Sequence, residues 1–276
     1  MFIERKKILL PEIQQKMLKS AWSNESVDSV IVQRMSYLSD GLKVNGYLAY
    51  PKDTNNKYPC IIFCRGGFGN AGALDDFYAQ GILGQLAGWG YVVFATQYRG
   101  NAGSKGKDEF GGKDINDILN LIDLADELEF ADKNVWGIEG WSRGGMMVYL
   151  TLLRTDKFKA AISSGGISTI NFSSENKFLK NLLKHYGGNL TEKLCYERSV
   201  INFMDNFHKT TPLLILHGTN DKRVPPEQSL QLSLKLLKYN IPHRLVLFEN
   251  GDHFLRSHKK EVDELRKKWF SKYLKC

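Results

Sequence analysis

A serine, an aspartate and a histidine, each placed just after a predicted strand, are the residues of this sequence best suited to do chemistry. They are Ser142, Asp221 and His253, in that order along the chain. A serine hydroxyl is a poor nucleophile until a neighbouring base takes its proton and an acid orients that base. The order and placement predict acyl transfer, with Ser142 as nucleophile, His253 as general base and Asp221 as orienting acid.

The serine lies in a glycine-rich turn, Gly140-Trp-Ser-Arg-Gly144, between an apolar stretch at 135–138 and a helical pattern. Strand, tight turn and helix in this order are the setting of a nucleophile elbow. Glycine is needed at both ends of such a turn, where a Cβ would strike the neighbouring strand or helix. The alternative is a glycine-rich helix N-terminus with Ser142 as a capping residue.

All three candidates follow strand ends, and the carboxyl ends of parallel strands gather at one edge of a sheet. Simpler explanations remain open, because an aspartate in a loop is commonly a turn or capping residue. Asp252 is a rival acid, but it adjoins His253, and neighbouring side chains on an extended backbone point apart. Glu249 is a weaker rival. His217, on the strand that precedes Asp221, is interpreted as a supporting or strand-end residue.

The oxyanion that forms during acyl transfer requires two aimed N–H donors. The backbone N–H of Arg143 follows the nucleophile at a helix N-terminus, where the helix dipole favours negative charge. The second donor is predicted at Gly66, in the loop Arg65-Gly66-Gly67, because glycine lets the backbone approach a substrate. A plain turn is the alternative for this loop. The sequence has no P-loop and no dinucleotide-binding glycine pattern, so a phosphate site has no support.

Predicted strands alternate with predicted helices, which indicates an α/β fold with a mostly parallel sheet covered by helices on both faces. About eight strands are expected, at 29–39, 42–50, 60–64, 91–96, 135–138, 160–164, 213–217 and 244–248. The first two form a hairpin. Helices are expected at 75–88, 114–128, 227–239 and 257–274, besides one after the elbow. The whole chain, 1–276, is predicted to be one domain, with an N-terminal extension at 1–28 and a helical, cap-like insertion at 167–208.

Composition places the chain among globular proteins, with 42% hydrophobic residues, 25% charged residues and 7 prolines. The apolar runs are too short to cross a bilayer, so no membrane association is expected. The net charge of +8 raises the possibility of a nucleic-acid partner. Much of the excess lies in 258–275, where lysines alternate with apolar residues at helical spacing, as on the solvated face of a docked helix. We therefore expect no nucleic-acid partner.

Four cysteines show no metal-ligand spacing, and Cys60 and Cys64 lie too far apart along one strand to form a disulfide. The N-terminus carries no apolar segment of the kind found in a secretory leader. A reducing, cytoplasmic location is therefore expected. No metal and no cofactor are predicted, and the sequence says nothing of oligomeric state.

These motifs resemble the catalytic domain of the prolyl-oligopeptidase-like serine peptidases, within the α/β-hydrolase superfamily, over most of residues 36–274. The resemblance implies the same three roles for Ser142, Asp221 and His253, whose separations of 79 and 32 residues also look like that family. The matching stretches are YLSDGLKVNGYLAY at 37–50, the RGG loop, YRG at 98–100, FGGKD at 110–114, GWSRGG, HGTNDKRVP at 217–225 and GDHF at 251–254.

Two departures from the family bear on the substrate. Peptidases of the family usually carry an N-terminal β-propeller that restricts access, and only residues 1–35 precede the domain here, so we expect no propeller. Arg65 stands where the family has tyrosine or histidine, which removes a hydroxyl donor and brings a cation near the site. Arg65 either attracts an acidic substrate group or pairs with a nearby carboxylate, and the second is slightly favoured.

The acyl pocket is expected to be lined by aromatic side chains, although each is equally suited to the core. The candidates are Phe68, Tyr98 and Trp141, with Arg65 beside them and Phe172, Phe178 and Tyr186 from the insertion. A serine hydrolase that cleaves a short peptide, an aminoacyl amide or a small ester is predicted. A non-catalytic protein that binds a small molecule on the same fold is the alternative.

Overall fold

The computed structural model describes residues 1–171, 177–186 and 191–275. Its centre is a mostly parallel sheet of nine strands, and two compact units contribute to it, residues 1–138 with Lys275 and residues 139–274. The predicted α/β class is confirmed. Single-domain organisation stays a prediction.

The first unit begins with antiparallel strands and continues with parallel ones. Its strands are β1 (Phe2–Lys7), β2 (Val30–Ser39), β3 (Leu42–Pro51), β4 (Tyr58–Cys64), β5 (Val92–Thr96) and most of β6 (Ala131–Trp141), in the sheet order β1-β2-β3-β5-β4-β6. Its helices are α1 (Glu12–Ala21), α2 (Glu25–Asp28), α3 (Asp76–Gly88) and α4 (Ile115–Leu119). The predicted hairpin joins β2 to β3 through Asp40 and Gly41, both at positive φ, as a tight two-residue turn requires.

One strand, β1, was not predicted. Its sequence, FIERKK, has no alternation of apolar and polar residues, and five of its six residues are exposed. It pairs antiparallel with β2 at the edge of the sheet. An edge strand bonded along one side through its backbone can form without an apolar face, and charged residues are common there.

The helix predicted at 114–128 is shorter than expected. It consists of α4 and a separate 3₁₀ turn, Ile122–Glu127. Between them the Asn120 amide donates to the Ser39 hydroxyl (2.9 Å), at the end of β2. The neighbouring Asp117 is fully buried and forms an ion pair with Arg99 at 2.7 Å. Here tertiary polar contacts override the apolar spacing that indicated a longer helix.

The second unit carries the end of β6 and three further strands, β7 (Phe158–Ser164), β8 (Leu213–Gly218) and β9 (His243–Phe248), in the order β6-β7-β8-β9. β7, β8 and β9 are parallel. Its helices are α5 (Arg143–Leu152), α6 (Lys177–Tyr186), α7 (Glu192–Glu197), α8 (Glu227–Lys238) and α9 (Lys259–Leu274). All strands predicted here are present. In the predicted insertion, Phe172 lies outside the described residues, as does the side chain of Phe178.

The basic C-terminal helix α9 is anchored to β6 by a buried ion pair. The Arg266 guanidinium donates to both oxygens of Glu139, at 2.6 and 3.1 Å, and also to Asp263 at 2.7 Å. Because both charges are out of water, either one alone would be strongly unfavourable. In the part of the chain that the structure describes, no helix has the length and apolar character needed to cross a membrane.

Candidate active site

Ser142 occupies the turn between β6 and α5 in a strained backbone conformation. Its φ is 58° and its ψ is −119°, a region that residues with a Cβ rarely adopt. A Cβ added at Gly140 would overlap the carbonyl oxygen of Gly144, which explains the glycine there. The Ser142 side chain makes no capping hydrogen bond to the described first turn of α5. The geometry is that of a nucleophile elbow and not of a capping serine.

The strain at Ser142 leads to a stability prediction. A non-glycine residue held at such dihedral angles costs about 1–3 kcal/mol, and glycine removes most of that cost. We expect Ser142→Gly to unfold with a free energy about 1 kcal/mol higher than that of Ser142→Ala, measured by urea titration. Equal or lower stability of Ser142→Gly would show that the strain relieved does not exceed the entropy that glycine adds to the unfolded chain.

Short contacts within the second unit surround the serine with the other two candidates. The Ser142 N–H donates to the Ser164 carbonyl at the end of β7 (2.8 Å). Gly165 comes next, and a Cβ there would lie 3.4 Å from both Asp221 Oδ2 and His253 Nδ1. On the other side of the serine, the Trp141 indole N–H donates to the His253 carbonyl at 2.9 Å. The elbow is therefore bonded to the chain at His253, and through Ser164 it is held next to the glycine that lies beside Asp221 and His253.

Asp221 and His253 form a close pair. Asp221 Oδ2 lies 2.6 Å from His253 Nδ1, and Oδ1 accepts the backbone N–H groups of Arg223 (2.8 Å) and Val224 (3.0 Å). Burial acts to raise the pKa of the Asp221 carboxyl, but hydrogen bonds from His217 and His253 outweigh it and hold that pKa well below its usual range. An ionised carboxylate only accepts, so Nδ1 carries the hydrogen and Nε2 is left to accept a proton.

His217 is a further partner of Asp221, closer than the sequence indicated. It is fully buried, and its Nε2 lies 3.2 Å from Asp221 Oδ2 and 3.0 Å from the Val224 carbonyl. Both neighbours are acceptors, so Nε2 carries the hydrogen, and Nδ1 accepts from the Ser229 hydroxyl at 2.6 Å. His217 therefore holds the carboxylate that in turn holds His253.

His217→Phe tests this positioning. Loss of one donor lets the Asp221 carboxylate move, and misplacement by about 1 Å can lower turnover about 100-fold. We expect kcat to fall about 10- to 100-fold with KM nearly unchanged, and His217→Gln, whose amide still donates, to recover part of the loss. A raised KM at unchanged kcat would contradict the assignment.

The two rival acids have other partners. The Asp252 carboxylate accepts the backbone N–H groups of Phe254 and Arg256, both at 3.2 Å, and pairs with the Arg256 guanidinium at 3.1 Å. Glu249 is exposed on the turn after β9. The short contact of His253 with a carboxylate is the one with Asp221, which favours Asp221 as the orienting acid.

The loop at Arg65, in the first unit, is held by the arginine itself. The guanidinium is buried and donates to the carbonyls of Gln97 (2.9 Å), Gly66 (3.0 Å) and Gly69 (3.0 Å). It also lies over the Tyr98 ring, 5.0 Å from the ring centroid. The sequence suggested a carboxylate or a substrate group as partner, and these carbonyl bonds add a role within the loop itself. Arg65 thus braces the glycine loop.

The predicted pocket residues differ in exposure. Tyr98 is fully buried, and its hydroxyl donates to the Arg65 carbonyl at 3.1 Å, as a core residue would. Phe68 and Trp141 are half-buried. Arg143 is the first residue of α5, and its side chain is fully buried, which the sequence did not indicate.

Comparison with known proteins identifies the family. Residues 80–276 match the profile of the prolyl oligopeptidase family. The chain belongs to that family. It is 31% identical over 221 residues to the uncharacterized peptidase YtmA of Bacillus subtilis, covering 79% of this chain and 84% of that protein. It is 34% identical over 230 residues to the uncharacterized peptidase YuxL of the same organism, covering 78% of this chain and 34% of YuxL.

A solved structure of the family extends the likeness over nearly the whole chain. The acylaminoacyl peptidase of Pyrococcus horikoshii superposes with a TM-score of 0.76 at 25% identity, covering 97% of this chain and 44% of that one. The prolyl oligopeptidase family member described here is therefore a serine-type peptidase with an α/β-hydrolase fold, as the motifs predicted. The chain spans less than half the length of YuxL and of the Pyrococcus enzyme.

Sequence reasoning missed one support of the site, Gly165, and left His217 open as a supporting or strand-end residue. Gly165, at φ 54°, adopts a left-handed conformation that favours glycine beside Asp221 and His253, and only its position after β7 could have indicated it. His217 stands four residues before Asp221, and its contact depends on how that turn folds back. No cluster of three metal-ligating side chains occurs within the described ranges.

Proposed function

We propose that this prolyl oligopeptidase family member hydrolyses short peptides or aminoacyl amides through an acyl-enzyme. The roles are Ser142 as nucleophile, His253 as general base and acid, and Asp221 as orienting acid. The observation that carries the proposal is the 2.6 Å contact of His253 Nδ1 with Asp221, beside the strained elbow that presents Ser142.

In the proposed reaction His253 Nε2 takes the Ser142 hydroxyl proton as the oxygen attacks the scissile carbonyl. The imidazolium then gives that proton to the leaving amine, and the acyl-enzyme remains. Water repeats the sequence and releases the acid. The Asp221 carboxylate stabilises the imidazolium and stays ionised throughout, in keeping with its lowered pKa.

We assign the oxyanion donors to the backbone N–H groups of Arg143 and Gly66. Arg143 opens α5, where the N-terminal end of the helix carries a partial positive charge. The bonds from the Arg65 guanidinium to the Gly66 and Gly69 carbonyls fix the loop before substrate arrives. Donors that need no reorganisation during the reaction stabilise an oxyanion most.

We propose that Phe68 and Trp141, both half-buried, contribute to the acyl pocket, and that Arg65 and Tyr98 support the loop that carries Phe68. Two sets of relatives favour short peptides over esters, since they are named dipeptidyl-peptidases and acylaminoacyl peptidases. We further propose a reducing compartment such as the cytoplasm. Cys60 and Cys195 are buried thiols, and burial raises the pKa of both.

A substrate panel tests the proposal. We expect aminoacyl or dipeptidyl p-nitroanilides to be hydrolysed, with p-nitrophenyl acetate cleaved as an activated ester, and both activities to vanish in Ser142→Ala. If the protein cleaves the ester but none of the anilides, the proposed peptidase activity is wrong and an esterase activity takes its place. No turnover of either, together with no labelling by a fluorophosphonate, would favour the non-catalytic binding protein.

A further inference from the structure

Helix α8 presents an apolar stripe to solvent. Its buried face carries Leu232 and Leu236, which pack on the sheet of the second unit. Three other leucines, at spacings of four and three residues, form the stripe and are 43%, 67% and 62% exposed: Leu230, Leu234 and Leu237. Such spacing places them on one side of a helix. Contiguous apolar patches of this kind on a folded protein commonly mark interaction surfaces.

The stripe is directed toward the edge of the sheet. The Ser233 hydroxyl of α8 forms a hydrogen bond with the His243 ring of β9 at 2.7 Å. The side of α8 that carries Ser233 therefore faces β9. Leu230 and Leu237 lie three residues before and four after Ser233, next to it on the helix surface. On β9, Leu245 and Leu247 share the face of His243, because side chains alternate along a strand, and Leu247 is 38% exposed.

The strand β9 is the last in the sheet order, so one of its sides has no neighbour among the described strands. Pro242 and Phe248 direct their carbonyls to β8, where they accept from Leu213 (3.0 Å) and Thr219 (2.9 Å). Backbone groups of successive residues point to opposite sides of a strand. The even-numbered residues therefore bond to β8, and the groups of His243, Leu245 and Leu247 point outward.

We propose that α8 and β9 form the interface of a homodimer, with the β9 strands of two copies paired antiparallel about a two-fold axis at Val246. Only odd-numbered residues carry outward backbone groups, so they must pair with one another. With the axis at Val246, Leu245 of each copy lies opposite Leu247 of the partner subunit. Both leucine side chains lie on the face of the sheet that carries α8. The same axis brings the two α8 stripes together on one face of a continuous sheet.

Charge complementarity identifies the occupant as a second copy of this chain. A two-fold axis makes the α8 helices antiparallel. Glu227 stands at the N-terminal end of α8 and Lys238 at its C-terminal end, both exposed beside the stripe. Antiparallel packing places the acidic end of each helix near the basic end of the other, twice. A single two-fold axis thus pairs the free edge of β9, buries the exposed leucines and brings opposite charges together.

Sedimentation velocity of the full chain at micromolar concentration tests the proposed oligomeric state. We expect a dimer for the native protein and a monomer for Leu234→Glu. Ile13→Glu, on α1, is the matched control, because Ile13 is exposed to the same 67%, and it should remain a dimer. Lys238→Glu should weaken the dimer, and the double change Glu227→Lys with Lys238→Glu should restore it. A monomeric native protein, or a dimer unaffected by Leu234→Glu, would overturn the proposal.

A cysteine pair tests the register independently of stability. At the axis Val246 faces Val246 of the partner subunit in a pair without hydrogen bonds, with Cα atoms about 4.5 Å apart. That separation permits a disulfide. Val246→Cys should give a cross-linked dimer on mild oxidation, while Leu247→Cys and the native chain should not. Cross-linking of Leu247→Cys in place of Val246→Cys would refute this register.

Discussion

Ser142→Ala should lower kcat/KM by about 10⁴- to 10⁶-fold and leave folding intact. The alanine keeps the Cβ and the elbow dihedral angles but removes the oxygen that forms the acyl-enzyme, and loss of a triad nucleophile costs this much in serine peptidases. Activity on the best anilide and the thermal unfolding midpoint measure the two parts of the prediction. The turnover that remains in Ser142→Ala would come from substrate binding and the oxyanion donors.

The matched control is Ser257→Ala, an exposed serine on the turn between His253 and α9. It should keep native activity and native labelling by a fluorophosphonate, whereas Ser142→Ala should not be labelled. Retention of more than a tenth of native activity in pure Ser142→Ala would remove Ser142 from the mechanism.

Asp221→Asn should lower kcat by about 10⁴-fold at neutral pH, the second large effect. The asparagine amide can donate to His253 Nδ1, which moves the ring hydrogen to Nε2, and Nε2 then cannot accept the proton of Ser142. Asp252→Asn is the control, since Asp252 adjoins His253 but pairs with Arg256. Should Asp252→Asn lose more activity than Asp221→Asn, the acid has been assigned to the wrong residue.

The same variant makes a prediction about pH and stability. The pKa of the Asp221 carboxyl is lowered in the folded protein, so its contribution to folding is complete above the unfolded value of about 4. It is lost as pH falls through the folded value. The native protein should therefore lose more unfolding free energy than Asp221→Asn on going from pH 6 to pH 3. Parallel curves, from denaturant titrations at each pH, would show that the carboxylate is not held by its donors.

Structural features that depend on residues close together in the sequence could be predicted. Features that depend on contacts between residues far apart in the sequence could not. The elbow, the hairpin turn at Asp40-Gly41 and the strands that precede Asp221 and His253 depend on apolar runs and on glycines within a few residues. The β1 strand depends instead on pairing with β2, and its charged sequence carries no pattern of its own.

The supporting contacts of the site show the same division. The sequence indicated which loop would carry Arg65 but not that its guanidinium would bond to the Gln97 carbonyl, 32 residues away. The sequence placed His217 four residues before Asp221. It could not show that the buried His217 imidazole would contact the same Asp221 carboxylate that His253 contacts. Directions of side chains in a folded loop depend on neighbours that spacing does not reveal.

The ion pair of Glu139 with Arg266 has a consequence for how the protein is made. The two residues are 127 positions apart, and Glu139 lies near the end of β6, three residues before Ser142. During synthesis that strand leaves the ribosome long before its cationic partner exists. We therefore expect Glu139 to stay hydrated in the emerging chain, and to gain its buried ion pair only after α9 has been translated.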